Sequence, residues 1–135
     1  MAGLDAGFFY PTFPMMGNSW GPQNVSLIFS EEGLLSIVQN PFLVQFIHRW
    51  IPIILLGVIV WLYLNIRKDK TRSSAQFLVI QLLALMFVLQ FILGVLTIIY
   101  SVPVSLGVIH QFGALILLSL NILALFLFRR RNIFN

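Results

Sequence analysis

The sequence predicts an all-α membrane protein, a polytopic bundle of three transmembrane helices, from its composition and the spacing of its charges. Of the 135 residues, 59% are apolar and only 9% are charged, too few charges to cover a water-soluble surface. The stretches 50–66, 73–100 and 101–128 contain no Asp, Glu, Lys or Arg. Because a helix needs about 20 apolar residues to cross the hydrocarbon core, we predict spans at about 41–66, 74–100 and 104–128.

The positive charges predict how these spans are oriented. Seven of the eight Lys and Arg residues lie between the first two spans or directly after the third: Arg67, Lys68, Lys70, Arg72, Arg129, Arg130 and Arg131. The positive-inside rule makes this side cytoplasmic, or matrix-facing in a mitochondrion. We therefore expect two regions, an extracytoplasmic loop with a short surface helix at 1–40 and the transmembrane bundle at 41–135, in which a tight turn around Pro103 joins the second and third spans.

The net charge of +4 does not indicate a nucleic-acid partner. Basic clusters beside membrane spans ordinarily determine topology and contact lipid headgroups, so membrane lipid is the partner that they predict. The sequence has no cysteine, which leaves neither disulfides nor thiolate metal ligands.

The first forty residues raise a question of membrane insertion. They contain no basic and apolar run of the signal-peptide type, yet the orientation above places them outside. This indicates a missing upstream helix, and we expect the chain to be one part of a larger protein or assembly. Within this region "SEEGLLSIV" predicts a short surface helix, with Ser30 as its N-cap.

The two histidines, His48 and His110, are predicted to lie at the same depth. Each follows a predicted helix start, Pro41 or Pro103, by seven residues, which at 1.5 Å per residue is about 10 Å below the outer end. The first and third spans run in the same direction, so the two imidazoles can face each other across a gap if these spans lie side by side. A planar macrocycle fits such a gap, its iron taking one nitrogen from each side, which predicts a bis-histidine heme.

Other roles for the two histidines fit the sequence less well. A zinc site would need further N, S or O ligands, and a proton relay ordinarily includes an intramembrane Asp or Glu; the spans supply neither. A histidine near a helix end can also simply hydrogen-bond a carbonyl or reach the headgroups. The equal depth and direction of the two positions favour heme over that structural role.

Several neighbours of the histidines bear on this interpretation. Gly107 and Gly113 share a helix face with His110 and either let a flat ring approach or serve ordinary packing of small residues between helices. In the first span, Pro52 removes the hydrogen bond to the carbonyl of His48, and a loosened turn is expected there.

Two polar side chains beside the histidines are candidate cofactor contacts. Arg49 is the one basic residue outside the cytoplasmic clusters. Its planar fork could pair with a heme propionate, or its head could extend to a lipid phosphate. Gln111, next to His110, could touch the edge of the cofactor. Most of the other polar side chains in or near the spans are expected to form hydrogen bonds between helices: Gln45, Gln81, Gln90 and Asn121.

Three runs of the sequence carry a resemblance to a known family. They are "AGLDAGFFYPTFPMMG", "VQFIHR" and "LQFILGVLTIIYSVPVSLGVIHQFGALILL", and together they resemble the second half of heme A synthase. That enzyme oxidises the C8 methyl group of heme O to the formyl group of heme A for terminal oxidases. The resemblance covers nearly the whole chain, and the combination of the three runs is specific.

The resemblance implies a division of labour between two halves. Such synthases have eight spans, built as two similar four-helix halves, each with a histidine pair near the outer side. The three spans here would be the sixth to the eighth, and His48 and His110 would match the pair that holds a heme b for electron transfer. The family's catalytic glutamate belongs to the other half, three residues before its histidine; here that position is Gln45. The catalytic residue is therefore not in this chain, and independent activity is not expected.

We therefore interpret the chain as the C-terminal part of a heme A synthase of the bacterial inner membrane. Its three spans would belong to one half of a protein that is built from two four-helix repeats. The expected cofactor-binding residues are His48, His110, Arg49 and Gln111, and the two histidines are the iron ligands. The expected partners are heme O, bound through the missing N-terminal half, membrane lipid, heme O synthase and further copies of the chain. Two alternatives stay open: a small b-type cytochrome or heme-carrying subunit without its own catalysis, and a heme-free scaffold subunit.

Overall fold

The protein is helical throughout its regular structure. The computed structural model describes residues 2–131. After a 3-10 turn at Ala2–Leu4, the chain forms two short helices, α1 (Val25–Glu32) and α2 (Ser36–Gln39), joined by a 3-10 turn at Gly33–Leu35. Three long helices follow: α3 (Pro41–Lys68), α4 (Ser74–Ile99) and α5 (Val104–Arg131). In the described part of the chain, strand pairing is limited to one isolated bridge, between Met16 and Ser19.

The three long helices each have the length and composition of a membrane span. Their most apolar windows have mean hydropathies of 2.0, 2.7 and 2.2 for α3, α4 and α5. At 1.5 Å per residue, 26 to 28 residues give a length of about 40 Å, enough to cross the hydrocarbon core with some tilt. The predicted all-α, multi-pass bundle is therefore confirmed.

Side-chain caps fix where α3 and α4 begin. Asn40 accepts hydrogen bonds from the backbone of Phe42 and Leu43, and Pro41 occupies the first turn, where a missing N–H costs nothing. At the start of α4, the Ser73 hydroxyl accepts from the Gln76 backbone while the Gln76 side chain accepts from the Ser73 backbone. This reciprocal capping box satisfies two groups that would otherwise lack partners.

α4 is the central helix of the bundle. It packs against both α3 and α5, whereas α3 and α5 have no comparably close backbone contact within the described residues. We call the end of the bundle that carries Arg67 and Arg72 the basic end. Towards it, a core forms from Val79, Ile80 and Leu83 of α4 and Ala124 of α5. We call the opposite end, which carries His48 and His110, the histidine end. There α3 and α5 are separated by cavities.

The connection between α4 and α5 is a tight turn just before Pro103. The backbone N–H of Ser101 donates to Ile98 O at 3.0 Å, and that of Val102 donates to Thr97 O at 2.8 Å. Both Ser101 and Val102 have φ of 57°, the left-handed region that a β-branched residue rarely occupies. The turn closes the histidine end of the bundle.

The residues before α1 lie across the histidine end. Phe9 packs edge-on against Phe42 of α3, with ring centroids 4.8 Å apart, and Phe13 packs against Phe91 of α4 at 5.9 Å. A Cβ placed on Gly7 would come within 2.7 Å of Val102, so the backbone of this segment also touches the α4–α5 turn. We call residues 5–15 the cover segment.

The stretch 30–38, predicted as one short helix, comprises the end of α1, a 3-10 turn and most of α2. α1 starts at Val25 after Asn24, so Ser30 lies inside the helix, where its hydroxyl donates to Leu27 O. The prediction of Ser30 as N-cap is therefore wrong. Asn24 provides the helix start in a left-handed conformation, with φ of 57°, which Asn tolerates better than most residues. Ser30 instead makes a local bond to a carbonyl in the preceding turn, a known competitor of capping.

Candidate cofactor site

The two histidines are brought together at one end of the bundle. His48 is on α3 and His110 is on α5, and both line the same two cavities, of about 260 Å³ and 220 Å³. Gly94 and Ile98 of α4 also border both cavities. The histidines therefore flank a shared space that has α4 as its floor, rather than facing lipid on separate sides of the bundle.

The walls of this space are mainly apolar. The larger cavity is also lined by Asp5, Gly7, Phe8, Thr97, Val102, Gly107 and Gln111. The smaller one is also lined by Phe13, Arg49, Pro52, Phe87, Gln90, Phe91, Val95 and Ala114. Aromatic and aliphatic walls with a few polar groups are typical of sites for large planar cofactors. The cover segment contributes to both cavities.

α4 positions the ring of His110 with two residues one turn apart. Gln90 Nε2 donates to the backbone carbonyl of His110 at 2.7 Å and lies 3.5 Å from the ring Nε2. Gly94 leaves room for the ring itself, because a Cβ there would lie 3.0 Å from His110 Cε1. The hydrogen bond of Gln90 between helices was predicted; the contribution of Gly94 was not.

The imidazoles retain nitrogen atoms for an external ligand. His110 Nδ1 is buried without a hydrogen-bond partner, which is costly unless something binds there. His48 is exposed to the cavities, and among the described residues none is hydrogen-bonded to its ring. Gln90 Nε2 lies 3.5 Å from the other ring nitrogen of His110, so Nδ1 is the nitrogen of this ring that has no partner. Two imidazoles that each keep a ring nitrogen without a hydrogen-bond partner, bordering one apolar space, fit the axial ligation of a heme.

A metal bound without a macrocycle would have few ligands here. Among residues 2–131 there is no group of three or more His, Cys, Asp or Glu side chains placed to hold an ion. A pair of imidazoles is too small a set for a structural zinc site. A porphyrin supplies four nitrogen ligands of its own and needs only the two axial positions.

The two glycines that flank His110 have different surroundings. Gly107 lines the larger cavity, and a Cβ there would meet nothing within 4 Å. Gly113 is buried and faces α4, where a Cβ would run into the side chains of Gln90 and Met86. Gly107 therefore leaves cavity space open, whereas Gly113 allows α5 to pack closely on α4.

Arg49 and Gln111 border the cavities in different ways. Gln111 is exposed on the wall of the larger cavity. Arg49 is only 3% exposed, and its terminal nitrogens donate to backbone carbonyls of the cover segment, which is neither of the two partners considered from the sequence. Its Nε is buried and without a partner, and a contact of Arg49 with a propionate stays a prediction.

These features define a multi-pass membrane protein with an apolar cavity between two histidines. Residues 1–122 match the family model of the cytochrome oxidase assembly proteins. The chain is 36% identical to the heme A synthase of Rickettsia felis over 132 residues, and 40% identical to the mouse heme A synthase COX15 over 119 residues. It is also 36% identical to the enzyme of Bartonella bacilliformis over 123 residues. The chain belongs to the heme A synthase family.

The coverage of these matches is unequal. They include 96%, 88% and 91% of this chain, but 37%, 28% and 34% of the Rickettsia, mouse and Bartonella proteins. The chain thus spans about a third of the length of the curated relatives it matches. No solved structure matches it.

Proposed function

We propose that this chain forms the part of a heme A synthase that holds a heme b for electron transfer. His48 and His110 would each give one ring nitrogen to the iron. The observation that carries the proposal is that both imidazoles border the same two cavities while His110 Nδ1 is buried without a partner. Bound there, a heme b supplies a one-electron carrier whose potential depends on its axial ligands and on burial.

The protein residues around the site would orient the cofactor and exclude water. Gln90 and Gly94 fix the position of His110, which is the role of outer-shell partners in metal sites generally. The phenylalanines of α4, Phe87 and Phe91, give the smaller cavity an apolar wall. Gln111 would contact the edge of the cofactor from the larger cavity.

The reaction proposed for the complete protein is oxidation of the C8 methyl group of heme O to a formyl group. This chain would accept electrons from that reaction. The family's catalytic glutamate would come from the other half, since the matching position here is Gln45. The remaining proposals from the sequence are unchanged: a bacterial inner membrane, an outward histidine end, heme O synthase as a partner, and association with further copies.

The test begins with the heme content of the full chain purified from membranes. We expect one heme b per chain, lost in His48→Ala and in His110→Ala and retained in Ser119→Ala, whose hydroxyl bonds only its own helix turn. Heme-free wild-type protein, from cells that make heme, would contradict the proposal and favour a scaffold subunit.

A second measurement separates the synthase from the small b-type cytochrome. Cells that make heme O are given this chain together with the N-terminal half of a related synthase, and the extracted pigments are analysed. A formyl-bearing heme that disappears when His48 is replaced supports the synthase. Bound heme b without any formyl product in the presence of a competent N-terminal half supports the cytochrome.

A further inference from the structure

The contacts of Arg49 point to a device that holds the cover segment over the cofactor. Arg49 Nη1 donates to Thr12 O at 2.6 Å and to Met15 O at 2.7 Å, and Nη2 donates to Tyr10 O at 2.6 Å. A longer contact joins Nη1 to Pro14 O at 3.4 Å. One buried guanidinium therefore gathers the carbonyls of a six-residue stretch of loop.

Gln45 reinforces this arrangement from one turn earlier on α3. Its side chain is 0% exposed, and Nε2 donates to Tyr10 O at 3.2 Å, the same carbonyl that Arg49 Nη2 contacts. Both donors lie on one helix face because they are four residues apart. His48, between them in sequence, points instead into the cavities.

The stretch held in this way forms part of the cavity walls. Phe13 lines the smaller cavity, and Asp5, Gly7 and Phe8 line the larger one. The cover segment also contacts α4 through Phe13 and the α4–α5 turn through Gly7. It thus spans from α3 to the far side of the site, and Arg49 is its main polar attachment to α3.

We propose that Arg49, supported by Gln45, is a positioning residue that latches the cover segment over the histidine cavities and so keeps water away from the heme. The second part of this proposal, the shielding of heme, rests on the proposed function. The first part, the latch, rests on contacts within the protein and does not require heme. Hydrogen bonds from a charged donor are about twice as strong as neutral ones, and their loss would leave loop carbonyls unsatisfied. A lysine presents a single ammonium and cannot reproduce the planar fork.

The absence of native cysteine makes the latch directly measurable. Ala6, which is 0% exposed in the cover segment, is replaced by Cys, and the rate of maleimide labelling of the full chain in detergent is followed, with and without heme. In this background Arg49→Gln is expected to raise the labelling rate at least about tenfold because the segment opens locally. Arg49→Lys should give an intermediate rate, and Gln45→Leu a smaller increase.

Two controls separate local opening from unfolding. Arg67→Gln removes the same kind of charge from an exposed position at the basic end and should leave the Ala6→Cys thiol protected. A thiol introduced by Ala124→Cys, in the core at that end, should stay protected in the Arg49→Gln chain. Unchanged labelling at residue 6, or a parallel rise at residue 124, would overturn the latch.

The heme-loaded protein tests the shielding. Arg49→Lys, which keeps the positive charge beside the cavity but loses the planar fork, is expected to lower the reduction potential of the bound heme, since water favours the more highly charged oxidised state. An unchanged potential together with fast labelling would refute the shielding. If the wild-type chain binds no heme, the proposed function fails, yet labelling of the heme-free chain still decides the latch. If Arg49→Gln speeds labelling of the Ala6→Cys thiol only when heme is bound, Arg49 acts by pairing with a heme propionate, and the latch is refuted.

Discussion

At the level of single residues, the site depends on a glycine of α4 as much as on the histidines. Gly94 has no side chain at the point where the ring of His110 approaches α4, while Gln90 holds the backbone of His110 from the previous turn. The histidine pair could be predicted from number, depth and direction. The role of Gly94 could not be predicted, because it depends on which face of α4 meets α5. The sequence feature that could have indicated it is the spacing of Gln90 and Gly94, a polar and a small residue four positions apart on an apolar helix.

Gly94→Ala is expected to weaken heme binding. The added Cβ would lie 3.0 Å from His110 Cε1, so the ring must shift away from α4. A shift that weakens ligation by about 1.4 kcal/mol would raise the dissociation constant about tenfold. The measurement is a heme titration of the full chain followed by absorbance. Gly57→Ala, where a Cβ meets nothing within 4 Å, is the control. Equal affinities for the two variants would contradict this account of His110.

Arg49 shows a different limit of sequence reasoning. A lone arginine near the membrane surface indicated an anionic partner, either a propionate or a lipid phosphate. The structure gives its terminal nitrogens carbonyl partners from residues 34 to 39 positions away. Backbone carbonyls carry no signature in a sequence, so such a partner becomes visible only once the fold of the cover segment is known.

At the level of elements, the long helices follow closely from local patterns. Uninterrupted apolar stretches indicated three spans, and the caps at Asn40 and Ser73 explain why α3 and α4 begin where they do. The placement of the spans relative to one another was harder to predict from the sequence. The gap between α3 and α5 exists because both pack on α4, an arrangement that hydrophobicity alone does not specify when every face of a helix is apolar.

Ser73→Ala is expected to destabilise the start of α4 without changing the site. It removes the hydroxyl that accepts from the Gln76 backbone, a loss of about 1 kcal/mol in the free energy of unfolding. Reversible denaturation of the full chain in detergent measures this effect. The neighbouring exposed Ser74→Ala serves as control. A heme spectrum altered by Ser73→Ala would show that the capping box at the basic end affects the histidine end after all.

At the level of the whole molecule, the distribution of charge predicts which end faces which side of the membrane. The described helices place the residues of the first basic cluster, Arg67 to Arg72, at one end and the cover segment with the histidine cavities at the other. If the basic end is cytoplasmic, as the positive-inside rule predicts, the proposed cofactor site lies towards the outer surface.

Because the chain lacks cysteine, single thiols can report this orientation. Ser101→Cys lies in the exposed α4–α5 turn and Ser74→Cys in the exposed start of α4. In intact bacterial cells, a membrane-impermeant maleimide should label the first and not the second, and both should react after permeabilisation. The reverse pattern would refute the predicted orientation, together with the proposed outward position of the heme.

The nature of the axial ligands is the most direct test of the central claim, that His48 and His110 hold one iron porphyrin between them. The measurement is the electron paramagnetic resonance spectrum of the oxidised full chain carrying heme. We predict a low-spin ferric signal of bis-imidazole type that is lost in both His48→Ala and His110→Ala. A high-spin signal in the wild-type protein, or a bis-imidazole signal that survives either substitution, would contradict the account.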